Sequence, residues 1–227
     1  MAKIPYATDE DIALRASADF AILCPRDQKL ASGGDGFFDP SDRWTLRSMS
    51  VDFLSQGLMP GHVVQLLGPA TTFRPPGESM IVENSSGHGV TLRRRGQVPG
   101  VGQPPGPASG LMGVEFIVAT LTPQIEQASF ELDRRLGISG LVAGRHASDL
   151  VDVRELRELV VLTVLHRQYM DMSRGCGGAQ QDSLAGKAQL IKSELDELLD
   201  RTAIHWRSVS DGIGDEPTTR FSSRISR

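Results

Sequence analysis

The residues best suited to chemistry in this sequence lie in the stretch NSSGHGVTLRRRG, residues 84–96, where a histidine between two glycines precedes three arginines. His88 could act as a general base, and the guanidinium groups of Arg93, Arg94 and Arg95 could bind phosphate or carboxylate. No GxSxG nucleophile motif accompanies the histidine, and its glycine neighbours favour a hairpin turn. The arginines have no interleaved aromatic residues on which single-stranded bases could stack. Three interpretations of the arginines remain open: a solvated strand end, a contact with another protein, or a contact with DNA.

The other motifs in the chain do not indicate a catalytic or cofactor site. Its glycine-containing loops lack the Gly-Lys-Ser/Thr of a phosphate-binding loop, and no strand leads through GxGxxG into a helix. Cys24 and Cys176 lie far apart, and the five histidines form no metal-ligand spacing. Helical carboxylates alternate with lysine and arginine, which is typical of solvated helix faces. The sequence therefore predicts no catalytic residues, no metal and no cofactor.

Composition and charge limit the class of protein. The chain has 227 residues, enough for one large domain or two smaller ones, and a formal net charge of −4. Basic residues exceed acidic ones in the middle of the chain, residues 41–110, but too weakly to indicate a nucleic-acid-binding domain. No apolar run approaches the length of a membrane span, and the N-terminus lacks the apolar core of a signal peptide. We expect a soluble protein made in a cytoplasm.

The first part of the chain, residues 1–40, is predicted to be a helix followed by a loop. Thr8 can cap the helix, three acidic residues after it complement the positive helix end, and Cys24-Pro25 is expected to end it. The sequences SGGDG at 32–36 and DPSD at 39–42 predict turns.

Residues 41–95 predict a small antiparallel β-barrel or curled sheet. Short apolar or alternating runs, such as HVVQLLG at 62–68, SMIVENS at 79–85 and VTLRR at 90–94, recur about every ten residues between turn formers. The segment FLSQGLMPGH predicts a single helical turn and then a Pro-Gly turn into a strand.

The remainder divides into an arm, a helical core and a tail. Residues 96–110 are rich in glycine and proline and predict an extended arm. Residues 111–206 predict a strand and three helices, at 122–136, 149–171 and 183–205. The apolar stripes of the last two helices consist of Val153, Leu156, Val160, Val164 and Leu165, and of Leu184, Ala188, Ile191, Leu195, Leu198 and Thr202. Residues 207–227 are polar and predict a flexible tail that becomes ordered only against a partner.

The predicted fold class is α+β: a helical bundle core, an inserted small antiparallel β-barrel domain and the extended Pro/Gly arm. A helical opening followed by VDFLSQGLMPGHVVQLLGP and MIVENSSGHGVTLRRRG resembles a barrel-forming cassette of tailed-bacteriophage virion proteins. The later ASFELDRRLGI, SDLVDVRELRELVVLTVLHRQYMD and LDELLDRTAIHW resemble the helical core of phage head-to-tail adaptor, or connector, proteins. The resemblance covers roughly residues 8–207. One departure is His62, which stands where the cassette has aspartate in its PGD turn.

This resemblance implies a structural virion protein and no catalysis. Its expected form is a homo-oligomeric ring, usually of twelve subunits, beneath the portal in the neck of a virion assembled in the bacterial cytoplasm. Its expected partners are the portal protein and the next neck or tail-terminator protein, with DNA only as passing cargo and no membrane. The candidate interface residues are Arg93, Arg94, Arg95, Trp206, Arg220 and Phe221. Alternatives are another neck or tail-completion ring, a nucleic-acid-binding module using the barrel arginines, and a small enzyme using His62 or His88.

Overall fold

A computed structural model describes residues 5–69, 72–73, 77–97, 110–136, 153–204 and 219–220. The described chain forms two compact units, one of Thr8–Thr122 and one of Met1–Ala7 together with Pro123–Arg227. The first unit contains α1 (Asp9–Arg15), α2 (Phe20–Leu23), a 3-10 turn (Arg26–Gln28), β1 (Lys29–Asp39), β2 (Asp42–Arg47), β3 (Val63–Gly68), β4 (Glu78–Ser86), β5 (Gly89–Arg94) and β6 (Met112–Ala119). From its end onward follow α3 (Thr122–Leu136), α4 (Arg154–Gly175), α5 (Gly178–Arg201), β7 (Ala203–Ile204) and β8 (Thr219–Arg220).

The first unit is a closed antiparallel barrel of six strands in the order β1-β2-β5-β4-β3-β6. The barrel closes because β6 pairs with both β1 and β3. Alternating apolar residues point inward, as in β5, where Val90 and Leu92 are fully buried. Phe53 and Phe116 pack in the interior with ring centroids 5.6 Å apart. Closure removes the unpaired sheet edges that would otherwise invite aggregation.

The strand β1 corrects the prediction of a turn at residues 32–36. These residues lie inside an eleven-residue strand that pairs with β6 through several shifts of register. A β-carbon at Gly36 would lie 2.7 Å from the carbonyl oxygen of Val114, and one at Gly33 would lie 2.9 Å from the Phe116 ring. The glycines therefore permit a close approach of two strands. The barrel extends from residue 29 to residue 119 and includes strands on both sides of segment 41–95.

The N-terminal helix has the predicted cap but is shorter than predicted. The Thr8 side chain accepts from the backbone of Asp11, and the Asp11 carboxylate accepts from the Thr8 backbone, so the cap is reciprocal. Helix α1 ends at Arg15, and the four-residue α2 continues to Leu23 after a turn. Cys24-Pro25 ends α2, as predicted.

The three helices of the second unit overlap the predicted ranges: α3 matches 122–136, whereas α4 and α5 differ from 149–171 and 183–205 by four or five residues at each end. Helix α3 buries Ile125, Ala128, Ser129, Leu132, Asp133 and Leu136, and α4 is buried on several sides at Leu156, Leu159, Val160, Val161, Leu162, Val164 and Leu165. Val153 precedes α4 and is exposed, because the helix begins at residue 154 rather than 149. Leu184, Ala188, Leu198 and Thr202 are buried as predicted, whereas Ile191 and Leu195 are partly exposed. Among the described helices, none is long and apolar enough to span a membrane.

Together these elements make the chain α+β, with a closed six-stranded barrel and five α-helices among the described residues. Most of the predicted arm, residues 98–109, lies outside the described residues, as does most of the predicted tail. Within the tail, the backbone of Thr219–Arg220 pairs with that of Ala203–Ile204 in antiparallel fashion.

Candidate protein-interaction site

The three arginines lie at the end of β5, which a tight turn joins to β4. The hairpin pairs Ser86 with Gly89, so Gly87 and His88 form the turn, as the glycine pattern predicts. Because Val90 and Leu92 point into the barrel, Arg93 and Arg95 lie on the outer side of the strand.

Arg93 forms a two-pronged ion pair with Glu10 of α1. Its Nη1 donates to Oε1 of Glu10 at 2.7 Å, and Nη2 contacts Oε2. Oε1 also accepts from the backbone N–H of Gly96 at 2.8 Å. The side chains of Arg93 and Glu10 are 13% and 19% exposed. Desolvation alone would raise the pKa of Glu10, but hydrogen bonds from Arg93 and Gly96 outweigh it and lower the pKa.

Arg95 connects α1 to the barrel through backbone carbonyls. Its Nε donates to the carbonyl oxygen of Ser79 in β4 at 3.2 Å, and its Nη1 donates to that of Ala13 at 2.5 Å. Ala13 lies near the C-terminal end of α1, where helix carbonyls lack partners within the helix. A positively charged guanidinium at the C-terminal end of a helix also interacts favourably with the helix dipole.

Arg94 is the most exposed of the three arginines. Its side chain is 46% exposed, and its Nε lies 3.7 Å from Oε1 of Glu78, itself 38% exposed. An ion pair at that distance in solvent contributes little to stability.

The structure therefore separates the arginines that the sequence presented as one group. Arg93 and Arg95 contact α1 of the same unit, whereas the interpretations from sequence were a solvated strand end, a contact with another protein or a contact with DNA. The acidic first turn of α1 was the available signal, but it was attributed to the helix dipole alone. Trp206 and Phe221 lie outside the described residues, and only the backbone of Arg220 is described.

A second surface feature, which sequence reasoning missed, is the apolar loop of residues 48–62 between β2 and β3. Met49, Leu54 and Met59 are 79%, 58% and 58% exposed. The same loop places Phe53 and Leu58 in the barrel core, so it is anchored from within. Buried Phe53 and Leu58 are each followed by an exposed apolar residue, Leu54 and Met59. This spacing could have predicted an exposed apolar surface, but the segment was interpreted only as a helical turn.

Asp35 of β1 holds the start of the apolar loop. Its carboxylate accepts from the Ser48 hydroxyl at 2.8 Å and from the backbone N–H groups of Met49 and Ser50, each at 2.9 Å. Desolvation raises the pKa of Asp35, but these hydrogen bonds prevail and lower it to about 2. A charged carboxylate thus holds the backbone of Met49, which is the most exposed, as a fraction, of the large apolar residues that the structure describes.

Asp9 is the most deeply buried carboxylate of the barrel unit among the described residues. It is 2% exposed and accepts from the Thr120 hydroxyl at 2.6 Å and from the Leu121 N–H at 2.7 Å. Burial raises its pKa to about 6, although hydrogen bonds from Thr120, Leu121 and Thr122 oppose the shift. Asp9 thereby joins the start of α1 to the residues that follow β6.

The histidines considered as catalytic bases have structural contacts with the backbone. Buried His62 accepts from the Met59 N–H through Nδ1 at 3.2 Å, and burial lowers its pKa. Nδ1 of His88 lies 3.2 Å from the Val51 carbonyl oxygen. Cys24 is buried, which raises its thiol pKa, and Cys176 is partly exposed. Within the described part of the chain, no cluster of three histidine, cysteine or acidic residues could hold a metal ion.

Comparison of this chain with protein-family models, with curated proteins and with solved structures gave no match.

Proposed function

We propose that this protein is a structural virion protein of a tailed bacteriophage: a head-to-tail adaptor that forms a ring beneath the portal and lets DNA pass. In this proposal its helices form a bundle core that packs ring-wise, and the segment after Trp206 docks on the portal. The barrel faces the next neck component or a neighbouring subunit. The protein carries no catalytic site.

The observation that carries the proposal is the fold of the segment that resembles the virion cassette. Phe53 of VDFLSQGLMPGH is fully buried in the barrel, and Gly61 follows Pro60 with a φ of 97°, which favours glycine. This turn leads into β3, and SSGHGV forms the turn between β4 and β5. Phe53, the Pro60-Gly61 turn and the turn between β4 and β5 thus have positions in or at the ends of a closed barrel, which favours a structural role for the cassette.

The helices offer a second line of support. Helix α4 has apolar residues buried on several sides, whereas α5 buries only Leu184, Ala188 and Leu198 along its 24 residues. Leu190 of α5 is exposed, beside charged residues such as Lys192 and Glu194. A long helix with so little buried surface suits packing against a neighbouring subunit.

Charge supports the third element of the proposal, passage of DNA without tight binding. The formal net charge is −4, and Arg93 and Arg95 are engaged with α1. Arg94 is the barrel arginine that we expect to meet an acidic surface of a partner. Rings of low positive charge allow DNA to pass, since tight binding requires many phosphate contacts.

The proposal is tested by electron microscopy of the purified chain, alone and mixed with portal rings from the same phage. We expect closed rings that stack on the portal, and loss of stacking when residues 207–227 are deleted. A chain that forms no ring and never associates with a portal refutes the proposal. Rings that bind another neck protein but not the portal would instead favour a tail-completion ring.

The same preparation tests the nucleic-acid alternative. We expect little binding of duplex DNA at physiological salt. Binding that weakens steeply with added salt and disappears in Arg94→Ala would favour a DNA-binding module over an adaptor.

A further inference from the structure

Strand β1 extends beyond its neighbour β2, so part of it is paired on one side only. Of its eleven residues, β2 pairs with Phe37, Phe38 and Asp39. On its other side, β1 pairs with β6 from Lys29 onward. Within the described part of the chain, residues 29–34 therefore have β6 as their single strand partner, and we call their open side the β1 edge. Alternate residues of an antiparallel strand direct their backbone N–H and C=O groups to opposite sides, so about half of these residues present both groups to the open side.

The Asp35 carboxylate ends the pairing between β1 and the chain that follows β2. It accepts from the N–H groups of Met49 and Ser50, each at 2.9 Å, so a side chain takes the place of the backbone acceptors of a continuing strand. The Ser48 hydroxyl donates to the same carboxylate at 2.8 Å and accepts from the N–H of Val51 at 3.0 Å. Residues 48–51 thus turn around Asp35 instead of pairing along the β1 edge.

The side chains of the β1 edge are small and leave its backbone accessible. Lys29, Ser32 and Gly34 are exposed, and a β-carbon at Gly34 would lie 4.0 Å from the nearest atom. Soluble proteins commonly protect exposed strand edges with charged side chains or proline. Between Lys29 and Asp35 the β1 edge has neither. Such an edge is suited to pairing with a further strand.

The charges at the two ends of this stretch fit a second copy of the same stretch. Lys29 and Asp35 each lie three residues from Ser32. An antiparallel pair of β1 strands with Ser32 opposite Ser32 therefore places Lys29 of each copy opposite Asp35 of the other. Opposite charges at directly opposed positions stabilise antiparallel strands, and like charges destabilise them.

The same register also fits the sizes of the residues between the charges. Leu30 of one copy lies opposite Gly34 of the other, and Ala31 lies opposite Gly33, so each larger residue faces a glycine. Leu30 is only partly buried against the barrel core, so a further strand would cover it more completely. A twofold contact of this kind, which uses one surface on both partners, is the commonest arrangement in homodimers.

Both charged groups are accessible for this contact. Lys29 is exposed, and Asp35 is only partly buried. Although desolvation raises the pKa of Asp35, its hydrogen bonds lower it to about 2, so the carboxylate is charged at neutral pH. An ionised carboxylate offers about four acceptor positions, so it can accept from an ammonium group in addition to its present donors.

We propose that the β1 edge binds the β1 edge of a second copy of this chain, as an antiparallel pair centred on Ser32. Backbone N–H and C=O groups of the two edges hydrogen-bond to each other, and Lys29 of each copy forms an ion pair with Asp35 of the other. This contact goes beyond the proposed adaptor function and does not depend on it, because a twofold contact joins two copies and cannot by itself close a ring of twelve.

Sedimentation equilibrium of the full chain, from low concentration upward, measures the dissociation constant of the dimer. We expect Lys29→Glu to weaken the dimer about tenfold, because it replaces two attractive cross-strand pairs by two repulsive ones. Arg43→Glu makes the same change of charge at an exposed residue of β2 and is the matched control, which should dimerise like the original chain. Circular dichroism confirms that both variants are folded. A monomer at every concentration, or equal dissociation constants for the two variants, overturns the proposal.

The register is tested by Ser32→Cys in a Cys176→Ser background, with oxidised glutathione as the oxidant. At the centre of the pair the two new cysteines lie directly opposite each other, with β-carbons about 4.5–5.5 Å apart, so a small adjustment permits a disulfide. We expect a disulfide-linked dimer, and far less of it for Ser41→Cys, at an exposed serine in the turn after β1. Absence of the link at position 32, or equal linking at position 41, contradicts the pairing.

These results separate the β1 contact from the adaptor function. Rings that show no link at position 32 would refute the β1 contact and leave the adaptor in place. Linked dimers that never form rings or bind a portal would refute the adaptor and leave the β1 contact in place.

Discussion

Burial distinguishes the roles of three neighbouring arginines at the scale of single residues. Arg93 is mostly buried and has a carboxylate partner with two oxygens, so its removal leaves Glu10 charged and without its strongest donor. Arg94, one position away, has a side chain that is 46% exposed. Identical side chains in sequence therefore differ in what they stabilise, because a buried ion pair is costly to break and an exposed one is not.

The first prediction concerns Arg93. We expect Arg93→Ala to lower the free energy of unfolding of the barrel unit by about 2 kcal/mol, and Arg94→Ala to change it by less than about 0.5 kcal/mol. Denaturant unfolding followed by the fluorescence of Trp44, in a Trp206→Phe background, gives both values. Glu10→Gln combined with Arg93→Ala should cost less than the sum of the single changes, since the two residues share one contact. Equal costs for Arg93→Ala and Arg94→Ala would contradict this assignment.

The second prediction concerns the buried carboxylate of Asp9. Its pKa of about 6 in the folded protein exceeds the ordinary 3.8, so the folded protein binds the proton more tightly than the unfolded chain. The contribution of Asp9 to the free energy of unfolding is therefore fully present below about pH 4 and is lost as pH rises through 6. The loss is roughly 3 kcal/mol for a pKa shift of about two units. Asp9→Asn should remove this loss, because its carboxamide can accept from Leu121 and donate to the Thr120 hydroxyl.

The measurement for Asp9 is the difference in unfolding free energy between Asp9→Asn and the original chain, at several values between pH 4.5 and 7.5. Taking the difference cancels the opposite effect of His62, whose lowered pKa makes stability fall as pH decreases. Working above pH 4.5 avoids Asp35, whose contribution is lost only at lower pH. A difference that does not vary with pH would show that Asp9 keeps an ordinary pKa.

Strand β1 shows at the scale of elements why a glycine-rich segment need not be a loop. Three glycines in SGGDG predict a turn from local propensity, yet two of them lie against β6 at distances that exclude a side chain. The strand that pairs with β1 here is β6, almost eighty residues further along the chain, so no local sequence pattern predicts this pairing. Tertiary packing therefore decides the structure of this segment.

The third prediction tests this account of β1. Gly36→Ala should lower the unfolding free energy by about 1–3 kcal/mol, because its β-carbon would meet the Val114 carbonyl oxygen, a backbone atom that cannot move away by itself. Gly34→Ala is the matched control, since its β-carbon would have 4.0 Å of clearance from the nearest atom, in Glu115. Thermal unfolding of the two variants supplies the comparison. Similar melting temperatures for both would mean that the close approach at Gly36 is absent in solution.

Local signals predicted several other elements, with helix ends that differ by a few residues from those of the structure. Thr8 and the acidic residues after it predicted the start of α1, and the Gly-His-Gly sequence predicted the turn of the β4–β5 hairpin. The spacing of apolar residues predicted α3, α4 and α5. Contacts between distant segments escaped prediction: Arg93 meets Glu10 across more than eighty residues, and Asp9 meets Thr120 across more than a hundred. Secondary-structure propensity and hydrophobic periodicity depend on a residue and its near neighbours in sequence. They therefore do not predict contacts between distant segments.

At the scale of the whole molecule, the apolar loop of residues 48–62 is the surface feature that most favours a binding partner. It exposes three large apolar side chains close together in sequence. Asp35 fixes its start and the barrel core holds Phe53 and Leu58, so Met49, Leu54 and Met59 are exposed from an anchored segment. Methionine side chains adapt their shape to irregular surfaces and are frequent where proteins bind one another. This arrangement suits the proposed contact of the barrel with a neighbouring subunit or the next neck component, with little ordering cost on binding.

The fourth prediction is that replacing Met49, Leu54 and Met59 together by serine will leave the isolated chain stable but weaken its assembly. Exposed side chains contribute little to folding, so we expect the unfolding free energy to change by less than about 0.5 kcal/mol. Association, either between copies or with the next neck component, should weaken about tenfold or more, since apolar side chains buried at an interface supply much of its affinity. Sedimentation velocity over a range of concentrations measures the first association, and capture on purified neck rings measures the second. Met112→Ser, at an exposed methionine of β6 outside this loop, is the control. Unchanged association in both assays would mean that this loop meets neither partner, and the barrel would then have to contact its neighbours through another surface, for which Arg94 is the next candidate.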